Sequence, residues 1–310
     1  MLLLFFLTPV FALPQVSGSW FERNVAFWVT IFGNMSQSSC IIHDTEDFHA
    51  YAMHDVCPRH LTREILRKTF HVRKRRIHLQ RGQKESLAIG LQHGAAYFPM
   101  MERIFRAYHL PPELSRIPLI ESGFRQYARS KVGASGLWQL MPATAAQYLT
   151  LSDSIDERMD PELATEAAAQ IIARNLSYLG SLPLAVTAYN HGRKSLMRAS
   201  LMLDTFDLSV IHELYQARSF GFASSSYYAE LVAVLQLAPF VPAPPDHPRV
   251  RIRGERPMTL QQFAQCLHVT PRALMEANPA FLESMQTIEP TQRLFLPPGA
   301  KLGSCGRRIL

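Results

Sequence analysis

One acidic side chain stands out by its setting. Glu121 lies in Leu119-Ile120-Glu121-Ser122-Gly123-Phe124, a lone carboxylate on an apolar stretch that a glycine then stops. Downstream follow Gly136-Leu137-Trp138-Gln139 and Ala188-Tyr189-Asn190-His191-Gly192. A buried glutamate that is ionised and unpaired costs several kcal/mol, so it takes up a proton or finds partners. A carboxyl kept neutral near pH 7 is what a general acid for glycosidic cleavage requires. Retaining and inverting glycosidases ordinarily use two flanking carboxylates, with substrate-assisted exceptions. Here the next acidic residues, Asp153, Asp156, Glu157 and Asp160, fall outside all of these motifs. Taken singly, each piece has a plainer structural reading. Glu121 alone is a solvated helix end, Trp138 alone is core, and asparagine before glycine commonly ends a helix.

The elements that position these residues read as helices. From Leu61 to Leu110, Leu87, Leu91, Ala95, Phe98, Met101 and Phe105 recur at three- and four-residue steps and mark one apolar face. Pro111-Pro112-Glu113 suits the first turn of a new helix that Gly123 ends, which puts Glu121 in its last turn. Pro118 inside that segment predicts a kink. Pro142 opens a short helix through Leu149. Asp160-Pro161-Glu162 reads as an N-cap, a first-position proline and an acidic first turn. The helix behind it carries Leu163, Ala167, Ile171, Leu176 and Leu179 before Gly180. Another runs from Pro183 to Asn190, and Ser224-Ser225-Ser226 caps a last one through Leu237. Almost no strand signal appears between 61 and 238, so the domain is read as all-α.

The flanks differ in character. Residues 1–18 open with Met1-Leu2-Leu3-Leu4-Phe5-Phe6-Leu7, too short to span a bilayer and read as a secretory signal, with Ala12 or Gly18 before the cleavage point. Residues 19–60 show no clear period and stay unassigned. Cys40, Cys57, Cys266 and Cys305 permit the pairs Cys40–Cys57 and Cys266–Cys305, while two other connectivities and separate buried thiols remain open. Prolines at 239, 242, 244, 245 and 248 make 239–248 a stiff, extended linker. Residues 249–298 then read as a βααβ module: Val250–Arg253 a strand, Thr259–Leu267 and Thr270–Asn278 helices, Arg293–Pro297 a strand. A tail, 299–310, follows.

Length allows one to three domains, and 310 residues with 47% hydrophobic content suffice for a packed core. A formal charge of +7 points to anionic partners, among them nucleic acid, an acidic membrane surface or an acidic polymer. Much of the excess sits in Arg73-Lys74-Arg75-Arg76, read as a solvated face rather than a binding patch. Without interleaved aromatic residues, a Walker loop or zinc spacing, nothing supports nucleic acid, and no metal or cofactor is assigned.

In order and together, the motifs resemble the lytic murein transglycosylases of the soluble lytic transglycosylase and goose-type lysozyme superfamily. The match is closest to the membrane-bound transglycosylase D type with C-terminal LysM modules. The resemblance covers roughly Arg81 to Leu237, including Leu110-Pro111-Pro112-Glu113-Leu114. The 250–298 module is similar to a LysM domain through Thr259-Leu260, Phe263-Ala264, Leu274, Asn278-Pro279 and Leu294-Phe295-Leu296-Pro297. Its usual Gly-Asp-Thr-Leu opening stands here as Arg256-Pro257-Met258-Thr259-Leu260.

That resemblance implies a mainly α protein, with a lysozyme-like all-α catalytic domain at 61–238 (helical lead-in 61–110) and a small βααβ LysM-like module. It makes Glu121 the catalytic acid and base. It places Ser130, Gln139, Tyr189 and Asn190 at the substrate, with Gly136–Gln139 lining the glycan cleft. It gives Tyr228 as the late tyrosine that closes the site, although adjacent Tyr227 allows a one-residue slip. The implied reaction breaks the bond between N-acetylmuramic acid and N-acetylglucosamine and closes a 1,6-anhydro ring, with peptidoglycan strands as the partner. The implied location is the periplasm or cell envelope, with no transmembrane helix in the mature chain. A goose-type muramidase and an inactive peptidoglycan-binding scaffold are the alternatives.

Overall fold

The computed structural model describes residues 13–14, 16, 18–71, 76–215, 217, 220–238, 240–241, 249–290, 292–302 and 305–309. Most of the predicted signal segment, Arg73–Arg75 of the basic run and most of the linker therefore lie outside the described residues. Arg76 is described, and it pairs with Asp44 at 2.8 Å.

The segment without sequence period folds into two parts. Helix α1 (Ser19–Val29) runs directly into a π-turn at 30–34. Strands β1 (Cys40–Asp44) and β2 (Ala50–His54), helix α2 (Arg63–Phe70) and strand β3 (Ile77–Arg81) follow. The strands form an antiparallel sheet in the order β2-β1-β3. The 61–110 lead-in is therefore not wholly helical, a correction to the all-α expectation for 61–238. Ile77 faces a small core with Ile42 and Leu66, and pairing with β1 decides the conformation of so short a run. Cys40 and Cys57 are disulfide-bonded, with Cα atoms 5.2 Å apart.

The helical body continues with α3 (Lys84–Gly94), α4 (Phe98–Ala107), α5 (Ile117–Glu121), α6 (Pro142–Ala145), α7 (Pro161–Leu179), α8 (Leu182–His191), α9 (Arg193–Leu203), α10 (Leu208–Leu214) and α11 (Phe222–Leu237). Pro118 marks a boundary rather than a kink: residues 112–116 form a 3₁₀ turn, and Pro118 sits in the first turn of α5. Helix α7 starts as its sequence predicts, with Asp160 accepting from the Glu162 and Leu163 amides, and ends at Gly180 with φ 62°. Its Ala164, Ala167, Ala168 and Ala169 are fully buried, and their small side chains let neighbouring helices approach closely. Trp20, Phe21, Val25 and Trp28 of α1 join this same core, so the segment is integral to the domain.

The C-terminal part contains β4 (Arg251–Gly254), β5 (Met258–Thr259), α12 (Leu260–Cys266), α13 (Pro271–Ala277), β6 (Thr287–Ile288), β7 (Leu294–Phe295) and β8 (Gly306–Ile309). Thr259 and Gln262 form a reciprocal capping box that starts α12. Asn278 joins the end of α13 to β7, accepting from the Phe295 amide at 2.6 Å and donating to its carbonyl at 3.0 Å. The tail adds β8 beside β4, giving the order β7-β4-β8, and Cys266 is bonded to Cys305.

This module does not hang at the length of a linker. The Asp156 amide donates to the Ala280 carbonyl at 2.8 Å and the Leu282 amide to Ser154 at 3.0 Å, while Ile155 enters the module's own core. Arg249 pairs with Asp160 and Glu162, each at 2.8 Å, Arg251 with Glu162 and Glu166, and Arg293 with Glu157 at 2.7 Å. The acidic start of α7 thus serves both as a helix cap and as the module's dock.

Candidate functional site

Glu121 is the last residue of α5. The chain turns immediately after it: the Ser122 and Phe124 amides both donate to the Pro118 carbonyl, at 3.0 and 3.2 Å, and Gly123 takes φ 60°. Ser122 Oγ donates to the Leu137 carbonyl at 2.8 Å, which fastens this helix end to the Gly136–Gln139 segment. That segment needs its glycine. Gly136 has φ 78°, and a Cβ there would lie 1.9 Å from the Arg158 carbonyl oxygen. Arg158 holds the loop from inside, gripping Asp156 through two 2.8 Å bonds and donating to the Gly133 and Leu140 carbonyls.

Two tyrosines meet the carboxyl's surroundings. Tyr227 donates its hydroxyl to Glu121 Oε1 at 2.5 Å. Tyr189 donates to the Trp138 carbonyl at 2.7 Å, and its phenol is held well above the usual range by burial and by Glu121. Burial pushes the Glu121 carboxyl up to about 7, against the opposing pull of the Tyr227 hydrogen bond. One turn beyond Tyr227 on α11 stands Glu230, a second shielded carboxyl, raised to about 8 by burial and by the charge of Glu121.

The late tyrosine is corrected by one position. Tyr228, expected to close the site, donates its hydroxyl to the Pro14 carbonyl at 2.7 Å, so Tyr227 is the one at Glu121. Successive helical residues point about 100° apart, so the slip exchanges one side of α11 for another. Trp138 is likewise no part of a cleft lining. It is fully buried, and its indole donates to Thr165 Oγ1 at 2.8 Å.

The other expected substrate residues make local bonds. Ser130 Oγ accepts from the Ala134 amide at 2.9 Å and braces the 130–134 turn. Gln139, at φ 45°, donates to the Gly136 and Ala128 carbonyls. Asn190 is exposed and accepts from Ser224 Oγ at 3.0 Å. Glu121, Tyr189 and Tyr227 are thus brought together, while none of the bonds made by Ser130, Gln139 or Asn190 involves Glu121.

A cavity of about 290 Å³ opens on Glu121 and Ser122, walled also by Gln37, Gln83, Ser86 and Ile89. A second cavity adjoins it, sharing His93 and Arg125 and continuing past Tyr127 to Arg129. The sequence names Tyr227 only as the one-residue alternative to Tyr228, and it does not single out Glu230 or Gln37. The period of α11 gives no help with Tyr227 or Glu230, because Ser225 to Ala229 are all buried and the helix has no single apolar stripe. Gln37 lies more than eighty positions from Glu121 and carries no local pattern. Among the described residues, no cluster of three or more His, Cys, Asp or Glu side chains is placed to hold a metal ion.

The fold and site define a mainly helical domain in which a shielded glutamate, Glu121, lines a cavity. Residues 100–203 match the family described as "Transglycosylase SLT domain". Over 93 residues, 29% of this chain, it is 37% identical to "Membrane-bound lytic murein transglycosylase D" of Escherichia coli strain K12. Over 93 residues it is 39% identical to a "Putative tributyltin chloride resistance protein" of Alteromonas sp. strain M-1. The aligned stretch spans 21% of the first relative and 45% of the second, so the chain matches less than half the length of either. Among the described residues, no helix is long and apolar enough to cross a membrane.

Proposed function

We propose that this chain is a peptidoglycan lytic transglycosylase with Glu121 as its acid and then its base. The observation that carries the reading is the shielded Glu121 carboxyl, held up at about 7 with the Tyr227 hydroxyl 2.5 Å from Oε1. Near neutral pH such a carboxyl is poised between its two forms, which suits a group that gives a proton and takes one back. Protonated Glu121 gives its proton to the oxygen between N-acetylmuramic acid and N-acetylglucosamine. The muramyl N-acetyl oxygen stabilises the developing charge at the anomeric carbon. Ionised Glu121 then takes the proton of the muramyl C6 hydroxyl, whose oxygen closes the 1,6-anhydro ring. Water is not consumed. Tyr227 orients the carboxyl through its hydrogen bond, and Tyr189 fixes the Trp138 backbone beside it.

Glu230 bears on the choice between lyase and hydrolase. A second carboxyl is what a hydrolase needs to activate water. Burial and the charge of Glu121 raise the Glu230 carboxyl, which disfavours the ionised form that such a base needs. Ser130, Gln139 and Asn190 retain the role of glycan contacts in this reading, each needing to exchange a local bond for the sugar. The C-terminal module, similar to LysM, is assigned to gripping glycan, and the envelope is the assigned location.

Mass analysis of products released from purified sacculi tests the reading. Wild type is expected to give anhydromuramyl ends, lighter by one water than hydrolysis products, and Glu121→Gln none. Reducing muramyl ends alone would replace the lyase by a muramidase. No product from wild type, with sacculus binding intact, would leave a scaffold.

A further inference from the structure

The wall of the Glu121 cleft opposite α5 is built by a loop far from the matched region, which covers residues 100–203. Gln37 belongs to the 35–39 loop that leads into β1, while Gln83, Ser86 and Ile89 lie at and within the start of α3. The loop is pressed against that start by backbone bonds: Gln83 donates to the Ile31 carbonyl at 2.9 Å, Lys84 to Met35 at 3.1 Å and Gly82 to Ser39 at 3.2 Å. The approach is close enough to exclude a side chain at Gly82, whose Cβ would lie 2.2 Å from the Ser36 carbonyl oxygen and 2.3 Å from that of Met35. On the loop's far side, the Cys57 amide donates to Ser38 at 2.7 Å, beside the Cys40–Cys57 disulfide.

This construction aims polar groups into the cleft. The Gln37 amide nitrogen donates to Glu85 Oε2 at 2.8 Å, and its side-chain Nε2 donates to Ser86 Oγ at 2.5 Å. The Gln37 carbonyl oxygen and the Ser86 hydroxyl proton remain available for a ligand, with the Gln83 amide beside them. Ile89, 49% exposed, adds an apolar surface on the same wall. Uncharged donors and acceptors beside an apolar patch match a hexosamine, whose hydroxyl and acetamido groups project from a ring with apolar C–H faces.

We propose that the 35–39 loop and the start of α3 form a saccharide subsite of the Glu121 cleft, in which Gln37, Ser86 and Gln83 hydrogen-bond an N-acetylhexosamine unit and Ile89 packs on its ring. The proposal deepens the transglycosylase reading and rests on it for the sugar's identity. It also gives the Cys40–Cys57 bond and Gly82 a task, that of holding the wall in place.

The test has two arms. Binding of the N-acetylglucosamine tetramer is measured by calorimetry to Glu121→Gln, alone and combined with Gln37→Ala or with Gln37→Ala and Ser86→Ala. Steady-state cleavage of soluble glycan strands is measured for Gln37→Ala in the otherwise unchanged chain. Gln37 is exposed, so the fold should survive, and circular dichroism checks this. Expected are an affinity loss of roughly 10-fold or more, equivalent to one hydrogen bond to the ligand, and a similar rise in KM with kcat within twofold. Gly82→Ala, which adds no group to the cleft, should reproduce the affinity loss if it folds. Unchanged affinity and KM in folded Gln37→Ala would overturn the subsite while leaving transglycosylation intact. Absent turnover in wild type with Gln37-dependent tetramer binding would sink the proposed reaction and keep the subsite. Absence of tetramer binding by Glu121→Gln itself would overturn the subsite.

Discussion

Replacing Glu121 by glutamine should stabilise the protein while abolishing its proposed chemistry, and the gain should depend on pH in a defined way. Burial holds this carboxyl at about 7, against an ordinary value of 4.5. Below 4.5 the folded and unfolded chains both carry the proton, and wild type and variant differ little from this source. As pH rises through 4.5 the unfolded chain ionises first, so wild-type stability falls until the folded carboxyl ionises near 7. Above that the loss is constant. Moving a carboxyl from 4.5 to about 7 corresponds to about 3 kcal/mol, a ceiling because solvent entering the cleft screens part of it. Glutamine keeps an oxygen that accepts from Tyr227, so the local geometry is retained. Removing the charge also relieves Glu230, whose raised value rests in part on Glu121, and this adds a smaller gain at alkaline pH. Urea unfolding at acidic, neutral and alkaline pH measures the effect. The two proteins should coincide near pH 4 and separate by up to about 3 kcal/mol near pH 8. Parallel profiles, or a variant less stable at high pH, would refute the claim that Glu121 is shielded.

Tyr227→Phe removes a hydrogen bond that favours the ionised carboxyl, so the alkaline limb of kcat/KM should move up in pH and kcat fall roughly 10- to 100-fold. Tyr228→Phe should leave turnover within twofold and lose about 1 kcal/mol of stability with its bond to Pro14; the reverse ranking would restore Tyr228 to the site. Arg249→Ala leaves the buried Asp160 and Glu162 short of a partner and should cost about 3 kcal/mol in chemical unfolding, whereas a change near zero would show that the dock contributes nothing. Reducing the Cys266–Cys305 bond, whose cysteines are 39 positions apart, should cost the module about 4 kcal/mol by loop entropy. Hydrogen exchange at Gly306–Ile309 should then accelerate, and unchanged protection would contradict the stapling role of that bond.

The local rules of the chain were legible without coordinates. Asp160-Pro161-Glu162 starts α7, Gly180 stops it, and Gly123 ends the turn that follows Glu121, because caps, prolines and positive-φ glycines act within a few residues. The helical body and the βααβ core of the C-terminal module follow from the same signals. What the sequence left open depended on distant partners. Ile77–Arg81 is a strand because β1 lies beside it, and 19–34 is helical because its aromatic residues have α11 to pack on. The choice between Tyr227 and Tyr228 fell to the rotation of a helix buried on nearly every side, where no apolar stripe records which side meets Glu121. The same rotation brings Glu230 within the electrostatic reach of Glu121, and Gln37 lines the cavity through a loop that only a glycine at 82 lets close. Sequence alone gave the acid its place at the end of a helix. Its shielding, its tyrosine and the opposite wall of its cleft come from segments separated by scores of residues, and burial, which raises its proton affinity, exists only once they are packed together.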